Sequence, residues 1–279
     1  MASPGPTTVR YGGNTSCVEV RLPGGQRVVL DAGTGLRTLT DELGPALARG
    51  DESIPSHFDL FLTHRHLDHV IGLPFLVSYT AHGGRVTLHC GNGSADEMEH
   101  LVRQFMSPPL FPAPPDSLGR IRAETFGTRG RAAVGSVRVE GVPAKHPGEA
   151  AILLVHDAAG LLFAYAPDNE LALWDARPDV EAWRSALVQH LRGVPVLLHD
   201  AHWIGDESQA HAGWGHSSAQ EATRFALACE AQRLVLAHHH PNRSDAAVDV
   251  LLAECRALVQ QEGASMEIVA ASEDMILEV

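Results

Sequence analysis

The sequence predicts an α/β fold built as a four-layer αββα sandwich, two sheets packed face to face with helices outside, in a single domain spanning residues 1–279. Three observations carry that prediction. Short apolar strands recur in both halves of the chain, each half follows its strands with helical segments, and no linker or internal repeat separates the halves. A chain of 279 residues is long for one average domain but ordinary for a layered α/β unit.

The chain opens with a hairpin. Ser16–Leu22 alternates in polarity, Pro23-Gly24-Gly25 supplies a turn, and Gln26–Leu30 returns into Asp31-Ala32-Gly33. His57–Thr63 is a short strand carrying Phe58, Leu60, Phe61 and Leu62, and it stops at a run of polar residues that it therefore delivers. Val70–Tyr79 is apolar with little polar break and predicts a buried helix; Arg85–His89 predicts the next strand and Ser94–Phe105 the next helix. Pro108, Pro109, Pro112, Pro114 and Pro115 exclude regular structure over an apolar segment containing Phe105, Leu110 and Phe111, which predicts a long ordered loop. In the second half, strands are predicted at Ser136–Val142, Ala150–Val155, Leu161–Tyr165, Val194–Leu198 and Leu234–Leu236. Helices are predicted near Val180–Leu191, Ala219–Cys229 and Ala246–Glu262.

Composition narrows the chemistry. A hydrophobic fraction of 44% suits a globular core, and 34 acidic against 21 basic residues leave a formal charge of -13. That charge repels a large polyanion, so no large nucleic acid is expected as a partner and any phosphate substrate should be small or gripped by metal ions. No basic n-region precedes an apolar stretch at the N-terminus and no run of 18 apolar residues occurs, which predicts a cytoplasmic protein without a membrane partner. Cys17, Cys90, Cys229 and Cys255 are scattered and form no CxxC pair, so they read as reduced core thiols. The 17 histidines instead cluster in short motifs.

The strongest of these motifs is Thr63-His64-Arg65-His66-Leu67-Asp68-His69, four potential metal ligands within six residues at the end of a buried strand. Alternating His64 and His66 point one way from an extended segment, whereas Asp68 and His69 begin the next turn and face another, so one loop supplies ligands to two ions. A solvated loop with incidental histidines would not need an apolar strand and a buried helix to pin both of its ends.

This motif resembles the HxHxDH signature of the metallo-β-lactamase superfamily. Gly12-Gly13-Asn14-Thr15-Ser16-Cys17 and Asp31-Ala32-Gly33-Thr34-Gly35 look like that family's opening hairpin and its glycine-rich turn. Lys145-His146-Pro147-Gly148 resembles the segment of its third histidine, and Tyr165-Ala166-Pro167-Asp168 that of the aspartate bridging two ions. The resemblance implies a metallo-β-lactamase fold and a first ion held by His64, His66 and His146. It implies a second ion held by Asp68, His69 and His238, with Asp168 shared. Imidazoles and a bridging carboxylate suit Zn²⁺ best and admit Mn²⁺.

Leu198-His199-Asp200-Ala201 and Gly215-His216-Ser217-Ser218 resemble paired motifs of the phosphodiesterase branch, which holds transfer-RNA 3′-processing nucleases and cyclic nucleotide phosphodiesterases. By that resemblance His216 contacts the phosphate and protonates the leaving oxygen, Asp200 orients its ring, and Asp68 belongs to the catalytic set. Ser217 or Ser218 also reads as a helix N-cap, and a helix N-terminus attracts phosphate, which makes Ser217 a candidate substrate contact. The implied reaction is attack on a phosphodiester by a hydroxide held between two ions.

His238-His239-His240 follows the strand Leu234–Leu236, and strand-end position favours His238 as the ligand. Related phosphodiesterases carry an acidic residue near the place of His240, which leaves His239 and His240 between an outer and a solvated role; His199, His202 and His211 read as structural or supporting. Transfer-RNA nucleases insert a long arm between the third histidine and the bridging aspartate, but only 22 positions separate His146 from Asp168 here. The sequence therefore favours hydrolysis of a 3′,5′-cyclic nucleotide to the 5′- or 3′-monophosphate. The segment Phe105–Pro112 resembles one in phosphodiesterases of the anti-Pycsar type, where Phe105 or Phe111 would stack on a base in its own or a partner subunit of a homodimer. These rings are equally suited to plugging the core. The competing readings are an RNA phosphodiesterase and, from another class, a non-catalytic sensor of metal or nucleotide.

Overall fold

The computed structural model describes all 279 residues, and the chain divides into two compact units: Met1–Ala2 with Asn14–Gly141, and Ser3–Gly13 with Val142–Val279. The passage from Gly141 to Val142 falls inside a strand, so no linker intervenes. No helix is long and apolar enough to cross a membrane.

In the first unit Val18–Arg21 (β1) pairs antiparallel with Arg27–Leu30 (β2), after which β2, His57–Leu62 (β3), Arg85–Cys90 (β4) and Ile121–Thr125 (β5) run parallel in the order β1-β2-β3-β4-β5. Its helices are Leu36–Ala48 (α1), Leu67–Val70 (α2), Leu76–Thr80 (α3), Ala95–Met106 (α4) and Pro115–Leu118 (α5). Arg131–Val134 (β6) and Val137–Pro143 (β7) form an antiparallel hairpin. Alternate residues of β3, namely Phe58, Leu60 and Leu62, enter one core with Leu36, Leu43, Leu73 and Tyr79, as the two-residue period of a strand requires. Removing one such leucine to alanine costs roughly 2–5 kcal/mol. Ser94 and Glu97 form a reciprocal capping box that starts α4 where its sequence predicts a helix.

The single helix expected over Val70–Tyr79 is broken into the end of α2, a 3₁₀ turn at Leu73–Phe75, and α3. The cause is close backbone packing. Gly72 donates its N–H to the Ala32 carbonyl at 2.8 Å, and a Cβ at Gly72 would fall 2.0 Å from the Gly33 carbonyl oxygen. Pro74 then starts a new turn. Elements α1, α5, β5 and β6 also occur where no regular structure is predicted from the sequence.

In the second unit the strands are Ala151–His156 (β8), Leu161–Ala166 (β9), Val196–Asp200 (β10), Arg233–Ala237 (β11) and Glu267–Ala270 (β12). Strands β9 to β12 are parallel neighbours, and β8 lies antiparallel beside β9. Helices Pro178–His190 (α6), Glu207–Ala210 (α7), Ala219–Ala228 (α8) and Asp245–Gln261 (α9) complete it. The core gathers Leu154, Leu197, Leu236, Phe225 and Leu251. Strand β12 is a further element without a counterpart in the sequence reading. Because β9, β10 and β11 are parallel, their carboxyl ends share one edge, and Asp168, Asp200 and His238 lie at or just beyond those ends, where open α/β sheets place their ligands.

Candidate metal centre

In the first unit the ligand loop leaves β3 and enters α2. His64 and His69 are fully buried, with ring centroids 4.4 Å apart, and His64 and His66 are likewise 4.4 Å apart; Asp68 Oδ2 is 4.0 Å from His69 Nε2. One buried carboxylate organises this loop. Asp31, at φ 62° in the turn after β2, lies 2.8 Å from His69 Nδ1 through Oδ2, and its Oδ1 accepts the Thr63 N–H at 2.8 Å. The Thr63 hydroxyl is 3.0 Å from that carboxylate and 3.0 Å from His64 Nδ1. A hydroxyl with one proton satisfies both contacts by donating to Asp31 and accepting from His64. In that pattern both imidazoles carry their proton on Nδ1 and present Nε2 as the ligand atom, the arrangement found behind metal-binding histidines.

In the second unit Asp168 sits between two histidines. Its Oδ2 is 3.5 Å from His146 Nε2 and its Oδ1 is 3.2 Å from His238 Nδ1, so each oxygen addresses a different ring. His146 donates through Nδ1 to the Gly215 carbonyl at 2.9 Å. His238 adopts φ 55°, unusual for a non-glycine residue, and its carbonyl accepts from His202 Nδ1 at 3.0 Å. A shared carboxylate flanked by oriented imidazoles is a donor set suited to divalent metal, so the residues fit the ions that the sequence implies.

Beside these residues stands a histidine–aspartate pair. Asp200, fully buried at the end of β10, accepts from His216 Nδ1 at 2.7 Å and from the backbone N–H groups of His202 at 2.9 Å and Asn169 at 3.2 Å. Burial pushes its carboxyl up to about 6, against the opposing pull of His216 and the His202 N–H. His202 stacks on His216 with centroids 4.4 Å apart and planes 20° apart, and burial together with the neighbouring His238 and His216 holds its imidazole neutral, well below the usual range.

Ser217 is buried, its hydroxyl donating to the Asn169 carbonyl at 2.6 Å and accepting from the Leu171 N–H at 2.9 Å, so that hydroxyl is committed to the backbone. Ser218 is the residue that caps α8, in a capping box with Glu221. Phe105 packs against the core of the first unit, and Phe111 is half-buried beside the exposed Leu110. His239 is half-buried with both ring nitrogens shielded from solvent and edges Tyr11, while His240 is half-buried and accepts from the Asn242 N–H. Sequence reasoning missed three supporting residues: Asp31 and Thr63, described above, and Glu170. The buried Glu170 carboxylate accepts from the N–H groups of Gly213 and Gly215, both at 3.0 Å, and so fixes the loop that carries His216. The only sequence signal for Asp31 was its glycine-rich setting.

A family model described as Beta-lactamase superfamily domain matches residues 26–239, well over half of the chain. Among curated proteins, a ribonuclease Z of Bradyrhizobium sp. (strain ORS 278) is 26% identical over 272 residues, covering 84% of this chain and 86% of the relative. A ribonuclease Z of Haloferax volcanii is 28% identical, covering 90% and 88%. The fold resembles that of the metallo-beta-lactamase fold protein YhfI from Bacillus subtilis, with TM-score 0.69 at 15% identity over 100% of this chain and 97% of that one. It also resembles the short form of human tRNase Z, with TM-score 0.62, 17% identity and coverage of 100% and 96%, and unliganded yeast PDE1, with TM-score 0.66, 14% identity and coverage of 98% and 96%. The α/β sandwich expected from the sequence is therefore the fold of the protein. With the family match across most of its length and a His/Asp cluster able to hold metal, the chain belongs to the metallo-β-lactamase superfamily and is a metal-dependent hydrolase.

Proposed function

We propose that the protein hydrolyses a small phosphodiester, a 3′,5′-cyclic nucleotide in the reading its features support best, using two divalent ions, Zn²⁺ or Mn²⁺. We assign His64, His66 and His146 to one ion and Asp68, His69 and His238 to the other, with Asp168 shared. The observation that carries the reading is the His216–Asp200 pair at 2.7 Å, stacked beside His202 and His238. A cyclic phosphodiester opens by expelling a ribose oxygen, a poor leaving group that needs a proton as its bond to phosphorus breaks. A histidine fixed by a carboxylate is the group for that task.

When bound, the ions supply a nucleophile at neutral pH and offset charge on the phosphoryl oxygens. The chain supplies the rest. Asp200 engages His216 Nδ1, which leaves Nε2 as the atom that hands its proton to the departing oxygen. Water adds across the P–O bond: its oxygen joins phosphorus, and the freed ribose oxygen takes a proton to give a 5′- or 3′-monophosphate. Asp31 and Thr63 hold the rings of His69 and His64, and Gly215 holds that of His146.

A second reading, cleavage of RNA, draws on the relatives that bear the name ribonuclease Z. Two features weigh against it. The net charge of -13 opposes a long polyanion, and the 22 positions from His146 to Asp168 are spent on β8, β9 and a tight turn at Asp157–Gly160, with no room for an RNA-gripping arm. The deciding experiment is turnover of purine and pyrimidine 3′,5′-cyclic mononucleotides, bis(p-nitrophenyl) phosphate and a precursor transfer RNA, before and after chelation and restoration with Zn²⁺ or Mn²⁺. Metal-dependent cleavage of a cyclic nucleotide well above the generic ester supports the proposal. Cleavage of the RNA alone would transfer the assignment to the second reading, and cleavage of neither would leave a hydrolase of another ester.

A further inference from the structure

Trp214 is 61% exposed, yet its loop is tied at several points. Its neighbours Gly213 and Gly215 both donate to the buried Glu170 carboxylate, its own N–H donates to the His211 carbonyl at 3.1 Å, and the Gly215 carbonyl holds His146. Both glycines adopt positive φ, 85° and 87°, and a Cβ at Gly215 would fall 2.1 Å from His146 Nδ1, so the loop has no slack on the side of the histidine. A lone exposed apolar residue is ordinary on a protein surface. A tryptophan whose backbone is tied on both sides and whose ring packs edge-on against rings leading to His216 is not.

The joining runs through rings. His216 stacks on His202; His202 meets Trp203 edge-on at 4.6 Å; Trp203 stacks on His211 at 4.1 Å and 10°; His211 meets Trp214 edge-on at 5.1 Å. The buried Trp203 also contacts Trp214 directly, at 6.1 Å and 70°. One aromatic run thus connects the histidine assigned to the phosphate with an exposed indole two residues away in sequence. A nucleotide has the matching layout, a phosphate joined through ribose to a flat base.

We propose that Trp214 is the surface on which the substrate's nucleobase stacks, a role resting on the phosphodiesterase reading and distinct from the apolar segment around Phe105 and Phe111. Stacking on an indole accepts any base, because every base has a π-face. Trp214 therefore binds purines more tightly than pyrimidines through their larger stacking area and makes no hydrogen-bonded choice among them.

The test uses the metal-loaded enzyme and its variants Trp214→Phe and Trp214→Ala, both at an exposed position and checked for folding by circular dichroism. Indole fluorescence is titrated with adenosine 5′-monophosphate and with ribose 5-phosphate. The nucleotide quenches the wild type, quenching disappears in Trp214→Phe, and ribose 5-phosphate quenches neither. In steady state Trp214→Ala raises KM for cyclic nucleotides by about 5- to 150-fold with kcat nearly unchanged, the range that removal of one base-stacking aromatic gives, and Trp214→Phe recovers most of the loss. Equal quenching in Trp214→Phe and wild type, or an unchanged KM in Trp214→Ala, overturns the assignment. If the wild type hydrolyses no cyclic nucleotide but quenching by the nucleotide depends on Trp214, the substrate reading fails and the stacking site stands. If it hydrolyses them while quenching is independent of Trp214, the reverse holds.

Discussion

Asp31→Asn tests the ligand geometry at its most concentrated point. The asparagine keeps the shape of the side chain and tolerates the φ of 62° at this turn, so the backbone is undisturbed. Its oxygen still accepts from the Thr63 N–H, but its NH₂ replaces the Oδ2 that now faces His69 Nδ1 at 2.8 Å, setting donor against donor in a fully buried place. His69 then turns or changes tautomer, and Nε2 is no longer the offered ligand atom. Loss of such a supporting carboxylate costs about 10- to 100-fold in metal affinity, or roughly 1.4–2.8 kcal/mol. The ion assigned to Asp68, His69 and His238 bears most of that loss. Thr63→Val, by contrast, unties His64 and weakens the ion assigned to His64, His66 and His146. Competitive titration of each variant against a chromophoric chelator, with folding monitored by circular dichroism, separates the two effects. Wild-type affinity for both ions in folded Asp31→Asn would refute the role given to this carboxylate.

Other outcomes follow from the same contacts. His216→Ala should lower kcat for a cyclic nucleotide by about 10²- to 10⁴-fold while slowing bis(p-nitrophenyl) phosphate far less, since nitrophenolate leaves without a proton; equal losses on both would remove His216 from the acid role. Gly215→Ala should strip metal from the folded protein, as measured by elemental analysis, because its Cβ meets His146 Nδ1 at 2.1 Å; full metal content would show that the loop yields. Burial depresses both His199 and His239 to about 4, against an ordinary 6.5, so the folded protein holds them neutral. Such groups bind more protons when unfolded, so the stability they confer is complete above pH 6.5 and is lost as pH falls toward 4, on the order of 3 kcal/mol for each ring. Urea denaturation at intervals from pH 7.5 to 4.5 should show that slope, and His199→Gln should flatten it; an unchanged slope would assign acid sensitivity to other groups.

How much of this was legible in the chain depended on distance along it. The ligands His64, His66, Asp68 and His69 stand within one loop after an apolar strand, and their density alone announced a metal site. His146 and Asp168 give no such local signal and are placed by resemblance and chain order, and His238 by resemblance together with its position at a strand end. Asp31 and Glu170 act on partners 38 and 45 positions away, so beyond the glycine-rich setting of Asp31 nothing near them in sequence reveals their use. Among the elements, β12 is four residues long, too short for alternation to register, and β5 alternates but offers only Ile121 and the small Ala123 as its apolar positions. Helix α1 carries Pro45 within it and no side-chain N-cap, the two local features by which a helix is usually read. The break at Gly72 arises from contact with Ala32 and Gly33 on another element, which an apolar run cannot express.

The most direct measurement is the metal content of the purified chain set beside its activity. Elemental analysis should find two divalent ions per chain. A chelator should remove them together with phosphodiesterase turnover, and Zn²⁺ or Mn²⁺ should restore both; His66→Ala and Asp68→Ala should lack full occupancy and turnover. Full activity in the stripped protein, or in either variant with its metal content reduced, would contradict a two-metal hydrolase.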